Sequence, residues 1–393
     1  MKRLYTTFFL LASFGLSLYA QWTPINTGLT SNIIYSFDTI GTTIFTGTYG
    51  GGVYFSNNQG NSWTTSNIGL TSDTIPSIAV NGSNIFAGTE SNGIFLSTDT
   101  GASWTAVNNG LPIGVSIRAL AFSGAITFAG TNGNGIFISN DNGNSWTSAN
   151  SGLTDQFITS LCIHGSNIFA GTVYGGVFIS TNNGNSWTAI NTGVTNTYIR
   201  SFAIAGANIY MGTQGGGVFL TTNLGITWTA INSGLSNMTV VTLKTDGINL
   251  FAGTFGGGVH LLSGISWTPI NSGLSSIDID CLLISEGNLY AGTYGGGAFI
   301  RSINNILTNI NEPNSIIKNV SIYPNPTKSS FTLSVSDKKI KEITITNVIG
   351  EIIIRKPTFS NSEIIDLTDK ANGIYFINIL TEGGNVMRKI VKE

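Results

Sequence analysis

The sequence predicts an all-β fold, a ring of seven similar units, from two periodic signals and a repeated pattern of short strands. Its seven tryptophans are spaced by 41, 41, 42, 41, 41 and 39 residues, at Trp22, Trp63, Trp104, Trp146, Trp187, Trp228 and Trp267. A Gly-Thr pair recurs with the same period and ends at Thr48, Thr89, Thr131, Thr172, Thr213, Thr254 and Thr293. Tandem units of about 40 residues built from short strands are typical of β-propellers. We therefore predict a seven-bladed β-propeller over residues 21–310.

The unit that leads to Trp104 shows the predicted blade. Four apolar runs, at residues 75–80, 84–89, 94–97 and 104–107, are separated by turns rich in Gly, Asn and Asp. Runs of this length with such turns predict four antiparallel strands. Neighbouring blades cover both faces of each sheet, which explains why the alternation of apolar and polar residues is incomplete. Each tryptophan is predicted to be a structural wedge between two blades.

The two ends of the repeat region predict how the ring closes. The seventh unit lacks its own tryptophan strand, whereas residues 21–26, which contain Trp22, precede the first unit. We predict that this N-terminal segment is the outer strand of the seventh blade, which removes an open sheet edge. Residues 306–310 are the competing candidate for the same place.

Composition excludes several classes of function. Charged residues make up 9% of the chain, the net charge is −2, and no cluster of Lys and Arg is present. Nucleic acid is therefore not a predicted partner. Cys162 and Cys281 lie in different units and are predicted to be buried, unpaired thiols. His164 and His260 have no ligand spacing around them, so we predict neither a cofactor nor a metal.

The first twenty residues predict export. Lys2 and Arg3 precede an apolar stretch that ends at Ala20, the pattern of a signal peptide cleaved after Ala20. The alternative is an N-terminal membrane anchor, but the apolar run is short and interrupted. No later segment is predicted to span a membrane, so the mature protein has no predicted transmembrane segment.

The turns before the tryptophans carry a first resemblance. Residues 97–104 and 139–146 have the pattern Ser-x-Asp-x-Gly-x-Ser-Trp, which resembles the Asp-box of sialidase-type (BNR) propeller repeats. Three other units have Asn in place of the Asp, at Asn58, Asn182 and Asn223, and the unit before Trp267 has lost the box. An Asx side chain can bond nearby backbone amides there while Gly takes a positive φ. The resemblance implies a structural role away from the substrate face, so a metal-binding role for Asp99 and Asp141 is disfavoured.

The same resemblance raises the question of glycosidase activity. Sialidases use an arginine triad, a Tyr-Glu nucleophile pair and an acid-base Asp, and retaining glycosidases need two close carboxyl groups. The predicted propeller has few such residues, namely Arg118, Arg200, Arg301, Glu90 and Glu286. Asp278 and Asp280, two residues apart on one predicted strand, are the remaining carboxyl pair. A binding module is therefore favoured over an enzyme, and an extracellular sialidase-like glycoside hydrolase is the alternative.

A second resemblance covers the whole unit. Residues 28–31, Gly-Leu-Thr-Ser, followed by residues 47–53, Gly-Thr-Tyr-Gly-Gly-Gly-Val, look like the repeats of two-component-regulator propellers. That resemblance implies seven blades and a ligand-binding or interaction scaffold. Photosystem assembly factors and xyloglucanase propellers have similar repeats, so the resemblance specifies the fold and not the function.

Two variable columns of the repeat predict where a ligand binds. The residues that follow the Gly-Thr pairs are Tyr49, Glu90, Asn132, Val173, Gln214, Phe255 and Tyr294. The residues at the start of the innermost strands are Tyr35, Pro76, Arg118, Thr159, Arg200, Val241 and Asp280. The aromatic members fall in units six, seven and one, which are neighbours in a closed ring. We predict a ligand-binding rim formed by Tyr49, Phe255, Tyr294, Tyr35, Arg118, Arg200 and Asp280, suited to a carbohydrate or a protein.

The repeat stops near Asn311, and residues 311–317 are predicted to be a linker. Beyond it, strand-length apolar runs joined by turns predict a small, Ig-like β-sandwich. Residues 318–393 resemble the type A C-terminal sorting domain of the type IX secretion system of Bacteroidetes. The motifs are Tyr-Pro-Asn-Pro at 323–326, a strand ending at Gly350, Asn-Gly-Ile-Tyr at 372–375 and Lys-Ile-Val-Lys at 389–392. The resemblance implies recognition by the secretion machinery, with a sorting signal of Pro324, Asn325, Pro326, Gly350, Gly373, Tyr375 and Lys389. The protein is accordingly predicted to be a secreted or cell-surface binding module.

Overall fold

The computed structural model describes residues 21–309, 320–335, 339–347, 351–381 and 384–393. The predicted signal peptide, the predicted linker and Gly350 lie outside the described residues. Over residues 21–302 the chain forms seven four-stranded antiparallel sheets, arranged as the predicted blades. The first fourteen strands are β1 (Thr23–Pro24), β2 (Ile34–Ile40), β3 (Thr43–Thr48), β4 (Val53–Ser56), β5 (Thr64–Thr65), β6 (Ser77–Asn81), β7 (Asn84–Gly88), β8 (Ile94–Ser97), β9 (Thr105–Ala106), β10 (Ile117–Ser123), β11 (Ile126–Thr131), β12 (Ile136–Ser139), β13 (Thr147–Ser148) and β14 (Ile158–His164).

The second half of the ring continues in the same order. Its strands are β15 (Asn167–Thr172), β16 (Val177–Ser180), β17 (Thr188–Ala189), β18 (Ile199–Ala205), β19 (Asn208–Thr213), β20 (Gly217–Thr221), β21 (Thr229–Ala230), β22 (Val240–Thr245), β23 (Leu250–Thr254), β24 (Gly258–Ser263), β25 (Ser266–Pro269), β26 (Ile279–Ser285), β27 (Asn288–Thr293) and β28 (Gly297–Ser302). Blades one to six are β2–β5, β6–β9, β10–β13, β14–β17, β18–β21 and β22–β25. The first strands of successive blades pack against one another, and β26 packs against β2, so these strands form the inner wall of a closed ring.

The seventh blade confirms the predicted closure. It consists of β26, β27, β28 and the N-terminal strand β1, with Thr23 opposite Ile300. The backbone N–H of Trp22 donates to the carbonyl of Ser272, in the preceding unit of the ring, at 2.8 Å. Each of the other tryptophans makes the equivalent bond to the unit that precedes its own. The competing segment, residues 306–310, is not a strand where it is described, because helix α1 (Ile303–Asn309) follows β28 directly.

The predicted strands of blade two are right in number and order, but several boundaries differ by one or two residues. Strand β6 begins at Ser77 and not at residue 75. Pro76 has no backbone N–H to donate to the sheet, which excludes it from the ladder. The fourth strand, β9, is only Thr105–Ala106, directly after Trp104.

The tryptophans are inter-blade wedges, as predicted. All seven are 2–4% exposed. Each indole Nε1–H donates to a backbone carbonyl of the preceding unit, in the pairs Trp22 to Ile270, Trp63 to Ile25, Trp104 to Ser66, Trp146 to Val107, Trp187 to Ala149, Trp228 to Ile190 and Trp267 to Ile231. Because a buried indole N–H needs an acceptor, this bond fixes the ring orientation as well as the contact between blades.

The turn before Trp104 has the predicted local bonds. One carboxylate oxygen of Asp99 accepts from the hydroxyl of Ser97 at 2.7 Å and from the backbone N–H of Ser103 at 2.9 Å. Its other oxygen accepts from the Ser103 hydroxyl at 2.6 Å. Gly101 has a φ of +83°, which a residue with a Cβ rarely adopts. Asn58 reproduces the pattern, with its amide donating to the Ser62 hydroxyl, so Asn can replace Asp there.

The C-terminal tail forms two packed sheets, in agreement with the predicted β-sandwich. One sheet has the order β29-β30-β33 and the other β32-β31-β34-β35. Apolar side chains from both sheets form one buried core. The strands are β29 (Val320–Tyr323), β30 (Ser330–Val335), β31 (Ile340–Asn347), β32 (Ile352–Pro357), β33 (Ser362–Asp366), β34 (Gly373–Thr381) and β35 (Gly384–Lys392).

Both cysteines are free thiols, as predicted. Cys281 is buried, as predicted, whereas Cys162 is half-buried because it lies on the partly covered half of its strand. Burial raises the pKa of Cys162 to about 12 and that of Cys281 well above its ordinary value. Thiols with raised pKa values are poor nucleophiles near neutral pH.

None of the helices within the described residues is long and apolar enough to cross a membrane.

Candidate ligand-binding site at the axis of the propeller

A β-bulge opens the first strand in six of the seven blades. The register of the ladder to the second strand shifts by one residue there, and the bulged residues are Tyr35, Arg118, Thr159, Arg200, Val241 and Asp280. In blade two, Pro76 has the equivalent position just before β6. A bulge adds one residue to a strand and re-aims its side chain, and bulges are common beside binding sites. The variable positions at the start of the innermost strands are therefore bulged residues on the inner wall of the ring.

The residues that follow the Gly-Thr pairs, the second set of variable positions, are hydrogen-bonded to the same end of the inner wall. The backbone N–H of Tyr49 donates to the carbonyl of Ile33 at 3.2 Å, and that of Tyr294 donates to the carbonyl of Asp278 at 2.9 Å. Isolated β-bridges join neighbouring blades at this level, among them Ile33 with Tyr294 and Phe255 with Asp278. Blades six, seven and one are thus linked at their aromatic residues.

The aromatic side chains of these three blades form two edge-on pairs. The ring centroids of Tyr35 and Tyr49 are 6.1 Å apart with planes at 81°, and those of Phe255 and Tyr294 are 6.4 Å apart at 64°. Tyr49, Phe255 and Tyr294 are 55%, 46% and 50% exposed. Edge-on contact fixes the ring orientation while leaving aromatic surface in solvent. We call these four residues the aromatic arc.

Asp280 has the most perturbed carboxyl group at this end of the propeller. Burial raises its pKa to about 7, the charge of Arg200 lowers it, and the charge of Asp278 raises it. Its Oδ2 atom is buried and has no hydrogen-bond partner. A carboxyl group with this pKa is partly protonated at neutral pH, so it can donate or accept a hydrogen bond.

Tyr35 connects the aromatic arc to the charged residues. Burial raises the pKa of its phenol, and the negative charge of Asp280 raises it further. Smaller contributions come from Tyr294 and Glu90, which raise the pKa, and from Arg118, which lowers it. These contributions to Tyr35 come from charged or polar residues of blades two, three and seven, so Tyr35 lies within electrostatic range of all three neighbouring parts of the rim.

The two rim arginines are already partnered. Nη2 of Arg118 lies 2.8 Å from a carboxylate oxygen of Glu90, an ion pair between blades three and two. Nη1 of Arg200 donates to the Tyr198 hydroxyl at 3.2 Å, and its guanidinium lies over the Tyr198 ring, 5.5 Å from the centroid. Both side chains are half-buried. They are therefore held in place at the rim before any ligand arrives.

One aromatic pair at this face was missed by the sequence analysis. Phe157 and Tyr174 of blade four are 41% and 72% exposed, with ring centroids 5.8 Å apart at 82°. The buried carboxylate of Asp155 fixes their backbone by accepting from the N–H groups of Phe157, Tyr174 and Gly175. Burial raises the pKa of Asp155, but those three bonds and a side-chain hydrogen bond from Thr172 outweigh it, and the net pKa is lowered. Phe157 lies two residues before the bulge, in a column that also contains Tyr198.

The carboxyl groups of this face bear on catalysis and on metal binding. Asp278 and Asp280, the carboxyl pair of the sequence analysis, are close enough for the charge of Asp278 to raise the pKa of Asp280. Within the part of the chain that the structure describes, no three His, Cys, Asp or Glu side chains form a group able to hold a metal ion.

Most of the predicted sorting residues lie together at one end of the tail. The Asn325 side chain donates to the carbonyl of Lys389 and accepts from the N–H of Val391, both at 2.9 Å. Gly373 lies opposite Lys392 in the adjacent strands, and the Tyr375 hydroxyl donates to the carbonyl of Ala371 at 2.6 Å. Pro324 and Pro326 flank Asn325, so the structure brings these sorting residues to the last strand.

The fold and the tail define a class of protein, a seven-bladed β-propeller followed by a sorting domain. Residues 321–393 match the family model of the secretion system C-terminal sorting domain. This match shows that the tail is such a domain and indicates export by type IX secretion to the cell surface or the extracellular space. No curated protein matches the chain.

Solved structures with the same fold include three examples of different kinds. PorZ, an essential surface component of the type IX secretion system of Porphyromonas gingivalis, has 18% identity and a TM-score of 0.56, over 93% of this chain and 60% of that one. The extracellular domain of a putative hybrid two-component system from B. thetaiotaomicron has 15% identity and a TM-score of 0.61, over 95% and 60%. An ancestral GH74 enzyme has 16% identity and a TM-score of 0.58, over 94% and 63%. The chain spans about 60% of the length of PorZ and of the two-component domain. Identities this low show the fold alone.

Proposed function

We propose that the propeller is a secreted or surface-exposed binding module that holds an extracellular carbohydrate at the axial rim. The observation that carries the proposal is the aromatic arc beside Asp280, two edge-on pairs with three exposed rings next to a carboxyl oxygen without a partner. Sugar rings present C–H faces that pack on aromatic surfaces and hydroxyls that hydrogen-bond to carboxyl groups. The rim offers both kinds of contact on adjoining blades.

The polar side of the rim supports orientation of the ligand. Arg118 and Arg200 are held by Glu90 and Tyr198, so little side-chain freedom is lost when a ligand binds beside them. The bulges that carry Tyr35, Arg200 and Asp280 belong to the ladder of the inner wall, which is a rigid support. Such a site needs little rearrangement to bind.

The test is a screen of polysaccharides and glycans on the purified full-length protein. We expect binding that is lost in the variant Tyr49→Ala/Phe255→Ala/Tyr294→Ala. The control is Ile226→Ala, another exposed apolar residue that lies in the turn before Trp228, and it is expected to bind like the wild type. A protein ligand is the alternative, and it is favoured if no glycan binds while the triple variant loses a partner on intact cells.

A glycoside hydrolase is the second candidate, because Asp280 combines a raised pKa with a neighbouring carboxyl, Asp278. A pair of carboxyl groups with separated pKa values is the usual arrangement for acid and base roles in glycoside hydrolysis. Reducing sugar released in the same wells measures this activity. Release that is lost in Asp280→Asn while binding persists establishes the hydrolase, and binding without release supports the binding module.

A further inference from the structure

Strand β34 of the sorting domain has apolar side chains on both faces. Tyr375, Ile377 and Ile379 alternate into the core of the sandwich. Ile374 and Phe376 point to the opposite face of the same sheet, where a free sandwich meets solvent. Phe376 is nevertheless only 6% exposed. Another part of the chain therefore covers this face.

The covering part is the propeller. Phe376 belongs to one buried cluster with Ala203, Tyr210 and Leu243, which lie in blades five and six. Ile374 packs against the same cluster. An aromatic ring buried among side chains of another domain is the kind of anchor that dominates interfaces.

Lys389 adds a polar contact at the edge of this interface. It lies opposite Phe376 in the ladder between β34 and β35, and its Nζ donates to the carbonyl of Ile248 at 3.4 Å. Burial lowers the pKa of Lys389, and the charge of Asp246 partly restores it. The Asp246 carboxylate in turn accepts from the N–H groups of Ile248 and Asn249, which fixes the turn that receives Lys389.

The turn of blade six differs from its counterparts in the other blades. The residue at the Ile248 position is small or hydroxylated elsewhere, as Thr42, Ser83, Ala125, Ser166, Ala207 and Gly287. These turns join the first and second strands, so they lie at the opposite end of the inner wall from the bulges. The contact therefore leaves the axial rim free and is confined to one side of the ring.

We propose that the propeller masks one face of the sorting domain. The sheet face with Ile374, Phe376 and Lys389 is docked on blades five and six, and the secretion machinery reaches that face only after the two domains separate. Lys389 links the two roles, because its backbone carbonyl is bonded to Asn325 of the sorting signal while its side chain contacts the propeller.

A cross-linking experiment tests the docking. The full chain with Ile248→Cys and Lys389→Cys is treated with a short bismaleimide, and an intramolecular cross-link is expected. The matched control, Ser166→Cys with Lys389→Cys, places the thiol on the same turn of blade four and is expected to remain uncross-linked. Equal cross-linking in both variants, or in neither, would overturn the proposal.

A second variant tests the masking. Ala205 packs against the docked cluster at the end of β18, so Ala205→Arg is expected to separate the domains. Amides of β34 should then exchange hydrogen about tenfold faster, with the exchange of blades one to three unchanged. Ser123→Arg, the matching position of blade three, should leave β34 as in the wild type. Unchanged β34 exchange in Ala205→Arg, or slower export of that variant than of Ser123→Arg from the native host, would contradict the masking.

Discussion

Asp280 owes its chemistry to its place in a bulge on the inner wall. The bulge directs the side chain toward Arg200 and Tyr35, and burial leaves one carboxyl oxygen without a partner. A fully exposed carboxylate of this type has an ordinary pKa near 3.8. The raised pKa of about 7 is a property of the assembled ring.

The pH dependence of stability tests that environment. Because the folded state binds the Asp280 proton more tightly than the unfolded chain, the native residue contributes its full stability below pH 3.8 and loses it as pH rises through about 7. Asp280→Asn cannot titrate. We expect similar unfolding free energies for the two proteins at pH 4 and a more stable variant at pH 8, by at most about 4 kcal/mol. Denaturant unfolding at both pH values measures this, and a constant difference would exclude the raised pKa.

The turn before Trp104 gives a prediction about a residue far from the rim. Hydrogen bonds from the Ser103 hydroxyl and N–H, and from Ser97, lower the pKa of Asp99 to about 2. Asp99→Asn should retain the pattern that Asn58 already shows, whereas Asp99→Ala should lose it. We expect a lower thermal midpoint for Asp99→Ala than for Asp99→Asn, with ligand binding unchanged in both. A loss of binding in either variant would contradict the structural role.

At the scale of the elements, each blade is locked to the preceding one by a tryptophan. The Trp104 indole is buried between blades one and two, and its Nε1–H donates to the carbonyl of Ser66 at 2.7 Å. The ring contributes apolar contact, and the hydrogen bond satisfies a buried indole N–H that needs an acceptor. Contact and bond are separable by substitution.

Two substitutions at Trp104 separate these contributions. Trp104→Phe keeps most of the ring contact and removes the bond, at an expected cost of about 1–2 kcal/mol in the free energy of unfolding. Trp104→Ala also leaves a cavity and is expected to cost about 3–5 kcal/mol. Urea unfolding of the full chain measures both. Equal costs would indicate that the hydrogen bond, and not the packing, holds the blades together.

At the scale of the whole molecule, the ring has no terminal blade. Strand β1 pairs with β28, and the Trp22 indole donates to the carbonyl of Ile270 at 2.7 Å, so the seventh blade joins the two ends of the repeat region. In an open array of repeats the end units lack one neighbour and fray first. Closure removes that weakness because every blade has two neighbours.

The closing blade makes a prediction about cooperativity. Trp22→Ala should destabilise the protein about as much as Trp104→Ala, by about 3–5 kcal/mol, because both residues have two flanking blades. Hydrogen exchange should quicken in blade six and blade seven together, because the Trp22 side chain packs between these two blades. A much smaller effect at Trp22, limited to β1, would show that the ring is held closed by other contacts.

The repeat architecture was predictable because residues with the same structural role recur at a fixed spacing along the chain. The spacing of the tryptophans and Gly-Thr pairs predicted the number of blades, the N-terminal closure and the wedge role of the tryptophans, and the structure confirms all three. Boundaries were less accurate at Pro76, where a missing N–H ends the ladder, and after β28, where α1 replaces the competing strand. Helix and strand are difficult to distinguish in short apolar runs, since both bury such residues.

The sequence by itself determined the seven blades, the turns that support them and the identity of the tail, because these depend on residues close together in the chain. The repeat also predicted that Tyr49, Phe255 and Tyr294 fall in neighbouring units, but only the tertiary structure decided which of the variable residues are in contact. The bulges direct Tyr35, Arg200 and Asp280 into one environment, and the β-bridges place Phe255 beside Tyr294. The exposed Phe157–Tyr174 pair and the docking of Phe376 on the propeller also depend on contacts between distant segments. Burial and proximity are set by the closed ring, and no local pattern of the sequence encodes them.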